Sequence, residues 1–450
     1  MSAGLVGQAA SHFLRAKWRW RTLRGARLHA YQEQRAQRII DYAQQNSPFY
    51  RNLWRGHNLD DWRTLPTVDK AAMMANFDTF NTHGIGRAAA TDIALHAEHT
   101  RDFQPTIGGL TVGLSSGTSG HRGLFLVSQA EQAAWAGVIL ARVLHRLPRG
   151  RLRVAFFLRS HSNLYAQASG LLIDLRYFDL MTPLPEAVTA LNLYQPQIIV
   201  APPSLLGFLA GSHTTGALRV HPDRLISVAE VLEPQDRDRL STVFQAPVHE
   251  IYQCTEGVLA ISCAHGSLHI QEDIVALQCE SLPPAPAYPL TPSSIRRVTP
   301  IITDLWRRTQ PIIRYRLNDV LQLDDRRCTC GNSFRVLAAI EGRQDDVCYF
   351  VEPAGGRRAF FPDTIRRMVL LSDPAIVDYQ AIQVRDGHLC LHLAVTDPTC
   401  FATVAASVRA NVTATVAAYG CHRPDLQIEQ GLAPTPPGSK RRRVQRLGSL

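Results

Sequence analysis

Residues 198–201, Ile-Ile-Val-Ala, are one of three short apolar runs that decide the fold class. Similar runs at 153–158 and 225–228 lie on either side of it in the sequence. Segments with a helical pattern, at 129–147 and 235–244, alternate with these runs. Because strands that alternate with helices usually pair in parallel, the sequence predicts a mainly parallel α/β core.

The length of the chain predicts two domains. At 450 residues it exceeds what one hydrophobic core usually serves. Beyond Gly342 the pattern restarts with strand-like runs at 382–384 and 389–395. We therefore expect a large N-terminal α/β domain of residues 1–342 and a small C-terminal α+β domain of residues 343–450.

Prolines mark the predicted ends of several elements. A helical pattern runs from 31 to 50 and should stop at Ser47-Pro48, because proline cannot continue a helix. Residues 65–70 are typical of a turn that leads into a short helix. Five prolines between 283 and 292 predict a loop inside the large domain.

The net charge of +10 makes a nucleic-acid-binding protein one alternative, because basic surfaces attract phosphate backbones. Much of the excess charge lies at the two ends of the chain, which weakens that interpretation. Near the N-terminus the basic residues are interleaved with Trp18 and Trp20, a pattern typical of a helix on a membrane surface. A first helix whose aromatic side chains pack on the domain is the alternative. Peripheral membrane contact stays open at this point.

The sequence predicts a cytoplasmic protein without a membrane span. Its longest apolar stretch, residues 198–211, is short and is interrupted by Pro202 and Pro203. The N-terminus lacks the apolar core and cleavage site of a signal peptide. In a reducing compartment the nine cysteines are poor disulfide candidates, so metal binding or simple burial explains them better.

A run of small and hydroxylated residues is the most informative segment: Ser115, Ser116, Gly117, Thr118, Ser119 and Gly120. Small side chains let the backbone approach a phosphate, and the hydroxyls and amides can donate to its oxygens. A flexible turn is the alternative for such a run. The sequence contains no Gly-x-x-x-x-Gly-Lys-Ser/Thr pattern, which argues against a P-loop hydrolase or kinase.

Three further segments carry charged groups suited to a nucleotide. Glu256 follows Thr255 after an apolar run, and such a carboxylate can hold Mg²⁺ on a triphosphate. Asp319 comes at a predicted strand end, where a carboxylate can accept hydrogen bonds from both ribose hydroxyls. Arg343 follows Gly342 and offers a guanidinium to a ribose or a phosphate.

Cysteines and histidines form a second candidate site. Cys263 and His269 lie close in sequence, and Cys328 and Cys330 follow much later. Three thiolates and one imidazole suit tetrahedral Zn²⁺, with His265 as an alternative to His269. Buried cysteines without a metal are the other interpretation.

Taken in order, these segments resemble the adenylate-forming (AMP-binding) superfamily, and more closely its phenylacetate-CoA ligase and coenzyme F390 synthetase-like branch. The matching stretches are 47–51, 115–120, 252–257, 314–319, 328–331, 342–346 and 437–440. The resemblance covers nearly the whole chain. It implies a ligase that uses ATP and Mg²⁺ to activate a carboxylic acid as its acyl-AMP. The acyl group would then pass to a pantetheine thiol, on either CoA or an acyl carrier protein.

The resemblance also implies roles for single residues beyond the phosphate loop. Thr255 would contact the α-phosphate, and Glu256 would hold Mg²⁺. Asp319 would bind the ribose, and Arg343 would assist it beside a hinge at Asp345.

The C-terminal tail carries the predicted catalytic lysine. Lys440 is similar to the family's adenylation lysine, which bridges carboxylate and α-phosphate as charge builds in the transition state. A solvated tail charge is the alternative, because three arginines follow it. The phosphate loop departs from the family pattern, since Arg122 stands near the place where many members have a lysine. Arg122 is therefore one candidate for its replacement.

The acid substrate is indicated by resemblance to the family's acyl pocket. The residues placed at this pocket are Phe157, Ser160, His161, Asn163, Pro203, Glu230 and Tyr252, the last of which also belongs to the nucleotide-binding segment. Ser160, His161 and Asn163 offer the polar partners that a buried ring hydroxyl requires. We therefore expect an aryl acid, such as benzoate or hydroxybenzoate.

Two other functions stay open from the sequence. One keeps the fold and lacks the thiol step, as an acyl-AMP synthetase or a degenerate scaffold. The other is a basic nucleic-acid-binding module stabilised by zinc at the cysteines and histidine. The resemblance favours neither, and under it no nucleic-acid partner is expected.

Overall fold

A computed structural model of the chain describes residues 3–100, 102, 105–115, 122–144, 150–158, 173–180, 182–282, 294–434 and 442–447. The helices in these residues are α1 (Ala3–Thr22), α2 (Gly25–Asn46), α3 (Pro48–Leu53), α4 (Lys70–Ala75), α5 (Phe77–Phe80), α6 (Arg87–Thr100), α7 (Gln129–Val143), α8 (Leu184–Tyr194), α9 (Pro203–Thr214), α10 (Pro234–Phe244), α11 (Pro362–Leu370) and α12 (Phe401–Ala418).

The strands are β1 (Thr106–Ile107), β2 (Leu110–Leu114), β3 (Leu124–Val127), β4 (Leu152–Leu158), β5 (Ile173–Asp179), β6 (Ile198–Ala201), β7 (Arg224–Val228), β8 (Val248–Cys254), β9 (Gly257–Ser262), β10 (Leu268–Ile270), β11 (Val275–Ser281), β12 (Ile295–Asp304), β13 (Tyr315–Arg316), β14 (Asp319–Asp324), β15 (Val336–Arg343), β16 (Cys348–Val351), β17 (Arg357–Phe360), β18 (Ile376–Arg385), β19 (His388–Val395), β20 (Asp425–Gln430) and β21 (Val444–Arg446).

Contacts divide the chain into two compact units. The first comprises Met1–Glu280, Pro300–Leu317 and Asp324–Ala338, and the second comprises Ser281–Thr299, Asn318–Leu323 and Ala339–Leu450. The predicted fold class, a large α/β part with a smaller C-terminal α+β part, is confirmed. The domain limits 1–342 and 343–450 stay a prediction, and the proline-rich segment 283–292 lies outside the described residues.

A parallel sheet forms the centre of the first unit. Its strands lie in the order β5-β4-β6-β7-β8, and each neighbouring pair in this series is parallel. β9 and β10 continue the sheet with antiparallel pairing. The three apolar runs of the sequence are β4, β6 and β7. Because parallel strands point the same way, the segments after β6, β7 and β8 leave the sheet at one edge, where α/β folds usually bind ligands.

Both faces of this sheet are buried, which explains why its strands are apolar throughout. Ala155 and Phe157 of β4 lie on one face, in a cluster with residues of α8, α9 and α10. Val154 and Phe156 lie on the other face, in a cluster that includes Leu144. Successive side chains on β4 thus serve two different hydrophobic clusters.

Several helix limits follow the sequence signals. α2 ends at Asn46, and Pro48 then starts α3, because proline fits the first turn of a helix. α7 begins with a capping box in which Ser128 and Glu131 bond each other's backbone amides. It ends at Val143, earlier than the predicted residue 147, and residues 145–149 are outside the described part. The turn predicted at residues 65–70 leads into the short helix α4, as expected, although Lys70 is already the first residue of that helix.

The N-terminal helix packs on the first unit. Lys17 donates to the Leu144 carbonyl at 2.5 Å, and Arg142 donates to the Ala16 carbonyl at 2.8 Å. Trp20 packs edge-on against His269, with ring centroids 5.4 Å apart, whereas Trp18 is 61% exposed. The aromatic-packing interpretation therefore holds for Trp20, and peripheral membrane contact stays a prediction.

The second unit contains a sheet in the order β20-β19-β18-β21. Val404, Val408, Val412 and Val416 of α12 recur every four residues and pack in its core. Within the described residues, Pro398–Ala418 is the one helical stretch long and apolar enough to cross a membrane, and buried core helices commonly share this length and composition.

Candidate functional site

The predicted phosphate loop begins and ends at a hydrogen-bonded pair. β2 and β3 form an antiparallel hairpin in which Leu114 pairs with Leu124. The Ser115 amide donates to the Gly123 carbonyl, and the Gly123 amide donates to Ser115 Oγ, both at 2.7 Å. Residues 116–121 between them lie outside the described part, so the roles of Ser116, Gly117, Thr118, Ser119 and Gly120 stay predictions.

Two cationic side chains reach the base of this loop. Lys70, the first residue of α4, places its Nζ 3.5 Å from Ser115 Oγ. Arg122 donates to the Ser115 carbonyl at 3.1 Å through Nε, while its other two nitrogens bind both oxygens of Glu98. The Glu98 carboxylate thus balances the charge of Arg122. Sequence reasoning missed Lys70, which carried only a helix-start signal and no phosphate motif.

Glu256 is held in a tight turn between β8 and β9. A register shift in the β8–β9 pairing occurs at Tyr252 and Gln253, immediately before this turn. The Thr255 hydroxyl donates to Glu256 Oε2 at 2.8 Å, and the Tyr315 hydroxyl donates to Oε1 at 2.9 Å. Both carboxylate oxygens are therefore oriented, although Glu256 is only 8% exposed.

Tyr315 is well suited to hold this carboxylate. Burial, and then the nearby Glu256 carboxylate, raise the pKa of Tyr315 far above its ordinary value. The phenol therefore keeps its proton and acts as a donor. Tyr315 also pairs with Val68, because the Val68 amide donates to the Arg314 carbonyl at 3.0 Å and the Arg316 amide donates to the Val68 carbonyl at 2.8 Å. The segment that leads to Lys70 is thereby tied to the strand that orients Glu256.

Arg307 connects the Glu256 turn to the hairpin. Its Nη1 donates to the Thr255 carbonyl at 2.7 Å, and its Nη2 donates to the Leu126 carbonyl of β3 at 3.3 Å. Gln310 accepts from Arg307 at 3.1 Å and from the Leu126 amide at 3.0 Å. These bonds join β3, next to the phosphate loop, to the Glu256 turn. Sequence reasoning also missed Arg307, since it lies between the matching stretches.

The structure places two predicted pocket residues at the carboxyl ends of adjacent parallel strands. Pro203 begins α9 just after β6, and Glu230 follows β7. Glu230 Oε2 accepts from the Ser204 amide at 3.2 Å, at the first turn of α9. Ala229 before it has a φ of +69°, a conformation that costs energy for a residue with a side chain and is common at functional sites.

The other predicted pocket residues differ in their surroundings. Tyr252 is half-buried on β8 and pairs with Ala260. Phe157 is buried and stacked on Phe178, with ring centroids 4.8 Å apart, so its environment favours a packing role. Residues 159–172, which include Ser160, His161 and Asn163, lie outside the described part.

The two remaining residues predicted to bind the nucleotide, Asp319 and Arg343, belong to the second unit. Asp319 begins β14, and Arg343 ends β15. The segment at the predicted hinge is bonded to this region, because the Gln344 amide donates to the Asn318 carbonyl at 2.9 Å and the Asn318 side chain binds Asp345.

Lys440 lies outside the described residues, but the arginine two positions later does not. Arg442 is ion-paired with the buried carboxylate of Asp346. Arg442 is therefore not a solvated tail charge. The catalytic role of Lys440 stays a prediction.

Cys263, His269, Cys328 and Cys330 converge in the first unit, with all four ligand atoms within 4.8 Å of one another. The sulfurs of Cys263 and Cys328 are 3.9 Å apart, and Cys330 Sγ is 3.4 Å from His269 Nε2. Zinc bound at about 2.3 Å to sulfur and about 2.0–2.1 Å to nitrogen in a tetrahedron gives separations of about 3.5–3.8 Å. The four side chains therefore fit a tetrahedral zinc ion.

The hydrogen bond of His269 agrees with this arrangement, whereas the thiols differ in how readily they ionise without a metal. His269 Nδ1 lies 2.9 Å from the Phe334 carbonyl, which assigns the proton to Nδ1 and leaves Nε2 facing the thiols. Burial raises the pKa of Cys330 to about 12, with the neighbouring thiols adding to the effect. Burial opposes ionisation of Cys328 too, yet hydrogen bonds from Ser267 and the Cys330 amide lower its pKa to about 6. A bound cation would remove the repulsion between thiolates.

No family model matches the sequence, and no curated protein matches it. Solved structures do match the fold. A 2-hydroxyisobutyryl-CoA ligase in the postadenylation state, in complex with 2-HIB-AMP, has a TM-score of 0.68 at 17% identity, over 96% of this chain and 91% of that chain. The chain has the adenylate-forming ligase fold. The resemblance drawn from the motifs is confirmed at this level, and the narrower branch stays a prediction.

Two further enzymes extend the likeness. An acyl acid amido synthetase in complex with 2,4-DB has a TM-score of 0.58 at 13% identity, over 97% of this chain and 94% of that chain. An anthranilate CoA ligase in complex with anthranoyl-AMP has a TM-score of 0.50 at 13% identity, over 74% of this chain and 66% of that chain. The adenylate-forming ligase fold is thus shared with enzymes that differ in acid and in acceptor.

Proposed function

We propose that this protein activates a carboxylic acid with ATP and transfers the acyl group to a pantetheine thiol. In the first step a carboxylate oxygen attacks the α-phosphorus of ATP, and pyrophosphate leaves. In the second step the thiol sulfur attacks the acyl carbonyl of the mixed anhydride, AMP leaves, and the thiol proton passes to solvent. The products are a thioester, AMP and pyrophosphate.

The observation that carries the proposal is the convergence of Lys70, Ser115 and Glu256 on one framework. Lys70 contacts the base of the phosphate loop, and Glu256 is joined to the same region through Tyr315 and Arg307. A cation, a loop of small hydroxylated residues and an oriented carboxylate are the groups that a magnesium triphosphate requires.

Within this framework Glu256 would hold Mg²⁺, which neutralises charge on the triphosphate. Its two oxygens are oriented by Thr255 and Tyr315, so the carboxylate is preorganised. Thr255 would contact the α-phosphate through the hydroxyl that now donates to Glu256. Lys70 would balance the negative charge of the leaving pyrophosphate.

For the acid substrate, we propose an aryl acid such as a hydroxybenzoate. Pro203 and Glu230 follow the carboxyl ends of two parallel strands, the edge where α/β folds usually bind ligands, and the polar residues Ser160, His161 and Asn163 suit a ring hydroxyl. The acceptor would be CoA or the phosphopantetheine of an acyl carrier protein, since both present the same thiol.

Residues of the second unit complete the proposal. Asp319 would bind the ribose, and Arg343 would assist it. A small domain of residues 343–450 would turn about Asp345 between the two half-reactions, bringing Lys440 to the site for adenylation alone. One site could then stabilise two different transition states in sequence.

We further propose that Cys263, His269, Cys328 and Cys330 hold a structural Zn²⁺. Four protein ligands close the coordination sphere, which is typical of structural rather than catalytic zinc. Trp20 of α1 packs against His269, so the metal would also support the docking of the N-terminal helix.

Pyrophosphate exchange into ATP tests the proposed function without knowledge of the acceptor. Purified protein is screened against aryl and aliphatic acids with Mg²⁺, and Glu256→Gln serves as the inactive comparison. We expect acid-dependent exchange, strongest with an aryl acid and lost in the variant. The nucleic-acid alternative would be favoured if the folded protein shows no pyrophosphate exchange with any acid and binds nucleic acid with an affinity that falls steeply with salt. Exchange without thioester formation from CoA or a carrier protein would support an acyl-AMP synthetase.

A further inference from the structure

A second group of metal-binding side chains lies in the second unit, far along the chain from the first. It comprises Cys390, His392 and Glu429, whose ligand atoms all lie within 4.8 Å of one another. Cys390 and His392 alternate along β19 with Leu389, Leu391 and Leu393, which are buried in the core. Because successive side chains of a strand point to opposite faces, the thiol and the imidazole project from the face of the sheet opposite the core.

Strand pairing places the third side chain beside them. His392 of β19 is paired with Glu429 of β20 in parallel register. His392 Nδ1 lies 3.3 Å from Glu429 Oε2, and Cys390 Sγ lies 3.6 Å from His392 Nε2. A tetrahedral zinc ion would hold a sulfur and a nitrogen ligand about 3.5–3.6 Å apart, so the Cys390 sulfur and His392 Nε2 have the required spacing. Because Glu429 contacts the other ring nitrogen, an ion bound at Nε2 requires a Glu429 oxygen to turn toward it; one ligand atom from each of the three residues lies within 4.8 Å of the others.

An independent observation comes from the neighbouring strand on the other side. Gln380 of β18 is paired with His392 and is only 5% exposed. Among the residues that the structure describes, Gln380 Oε1 has no hydrogen-bond partner. Leaving a buried carbonyl oxygen without a partner costs about 1–3 kcal/mol. Directly paired residues share a face of the sheet, so this oxygen lies on the same side as the imidazole.

We propose that Cys390, His392 and Glu429 bind a divalent cation of the zinc class, with the Gln380 side-chain oxygen completing its protein ligands. One sulfur, one nitrogen and two oxygens match the borderline preference of zinc and cobalt rather than that of magnesium or calcium. On binding, the Cys390 thiol loses its proton to solvent and its sulfur forms the bond to the metal. The ion joins three adjacent strands, β18, β19 and β20.

The metal has a route to this site from solvent. The Glu429 side chain is 46% exposed, whereas that of His392 is 14% exposed. An ion can therefore enter past the carboxylate and reach the imidazole and thiol beneath it.

The test is a zinc titration of the full-length protein after removal of metals with a chelator. Bound zinc per chain is counted after desalting, and the affinity is measured by competition with a chromophoric chelator. The variants are Cys390→Ser and Glu429→Gln, the second at an exposed position where folding is little affected. Cys400→Ser is the matched control, because this cysteine of the same unit belongs to no metal-ligand group in the described residues.

We expect wild type and Cys400→Ser to bind about one more zinc per chain than Cys390→Ser. Glu429→Gln should bind zinc at this site more than about 10-fold more weakly, given the usual effect of losing a metal-supporting carboxylate. Comparing the zinc content of the four proteins separates this site from the Cys263 group, because zinc bound by that group is the same in all four. Equal zinc content and equal affinity in all four would overturn the proposal. The proposal is independent of adenylation, since every readout is metal binding.

Discussion

The Tyr315 hydroxyl donates a 2.9 Å hydrogen bond to Glu256, a residue 59 positions earlier in the chain. This bond fixes the carboxylate that we propose as the magnesium ligand. Because Tyr315 is also paired with Val68, the bond links the strand after β12, the turn after β8 and the segment before α4. The roles proposed for Glu256 and Lys70 depend on this framework.

Removing the hydrogen bond should slow adenylation less than removing the carboxylate charge. Glu256→Gln should lose most pyrophosphate exchange and bind ATP more weakly in Mg²⁺, because an amide attracts the cation far less. A hydrogen bond to a charged group contributes about 1.5–3 kcal/mol, so Tyr315→Phe should reduce exchange by roughly 10- to 100-fold. The measurement is pyrophosphate exchange at several Mg²⁺ concentrations.

Tyr194→Phe is the matched control for this comparison. Its hydroxyl donates to the Asp174 carbonyl at 2.5 Å, near the amino ends of β4 and β5 and so away from the carboxyl edge of the parallel sheet. Exchange should be unchanged in this variant. Near-wild-type exchange in Glu256→Gln would contradict the magnesium assignment.

Lys70 and Arg122 should differ in their effect on ATP. Lys70→Ala should raise the KM for ATP and slow adenylation by roughly 10²-fold, the scale for removal of one electrostatic donor. Lys70→Arg should recover part of the loss because it restores the charge. Arg122→Gln should have a smaller effect, since the Glu98 carboxylate already balances that guanidinium. A larger loss in Arg122→Gln than in Lys70→Ala would assign the phosphate-binding role to Arg122.

Lys440 should act in only one half-reaction. Lys440→Ala should slow acyl-AMP formation by roughly 10²- to 10³-fold, because the lysine contributes where charge develops in that transition state. Thioester formation from preformed acyl-AMP should be largely unaffected. Rates of both half-reactions are measured separately with the same preparation.

Lys440→Arg is the control for simple tail charge. It keeps the positive charge but changes its geometry, so it should remain strongly impaired if the ammonium is positioned on the α-phosphate. Arg442 is unsuitable as a neutral comparison because it is paired with Asp346. Full adenylation activity in Lys440→Arg, together with only a minor loss in Lys440→Ala, would contradict the catalytic role and leave Lys440 as a solvated tail charge.

The Cys263 group should hold about one structural zinc per chain. Cys328→Ser should lower the zinc content by about one ion and lower the Tm, since metal binding contributes to folding free energy. Elemental analysis and thermal unfolding measure the two effects, and Cys400→Ser should leave both unchanged. Metal-free wild type with a Tm equal to that of Cys328→Ser would leave these cysteines as ordinary packing residues.

A buried ion-pair cluster should dominate the docking of α1. Asp273 accepts from Arg19 at 2.7 Å and from Arg142 at 2.8 Å, and all three are buried. Asp273→Asn should destabilise the protein by about 3–5 kcal/mol, because it leaves two buried guanidiniums without their charge partner. Asp92→Asn, at an exposed position of α6, should change stability by less than about 0.5 kcal/mol.

The same cluster predicts a pH dependence of stability. Burial alone would raise the pKa of Asp273, but the Arg142 and Arg19 guanidiniums outweigh it and hold the pKa below its ordinary value. The stabilisation is therefore present above the unfolded pKa of about 3.9 and is lost as pH falls through the lower folded pKa. Denaturant unfolding from pH 7 down to pH 2 should show this loss in wild type. In Asp273→Asn the free energy of unfolding should not show this decrease between neutral and acid pH.

Local patterns in the sequence predicted the elements well. The apolar runs became β4, β6 and β7, and Pro48 separated α2 from α3, as expected from the missing amide of proline. The α/β fold class follows from the alternation of these elements. Residue types also singled out Cys263, His269, Cys328 and Cys330 as candidate zinc ligands, with buried cysteines as the alternative, and the structure brings the four together. Zinc binding itself stays a prediction.

The sequence did not reveal how the site is held together. Lys70 reaches Ser115 across 45 positions, and Arg307 bonds the Thr255 carbonyl across 52 positions. The Cys390 group likewise depends on which strand lies beside β19. Propensity and periodicity act between near neighbours in the chain, so the sequence by itself determined the strands, the helices and the types of candidate ligand. Only the order and register of the strands in the folded sheets decided which of those side chains meet, because that order is fixed by burial and hydrogen bonding between distant segments.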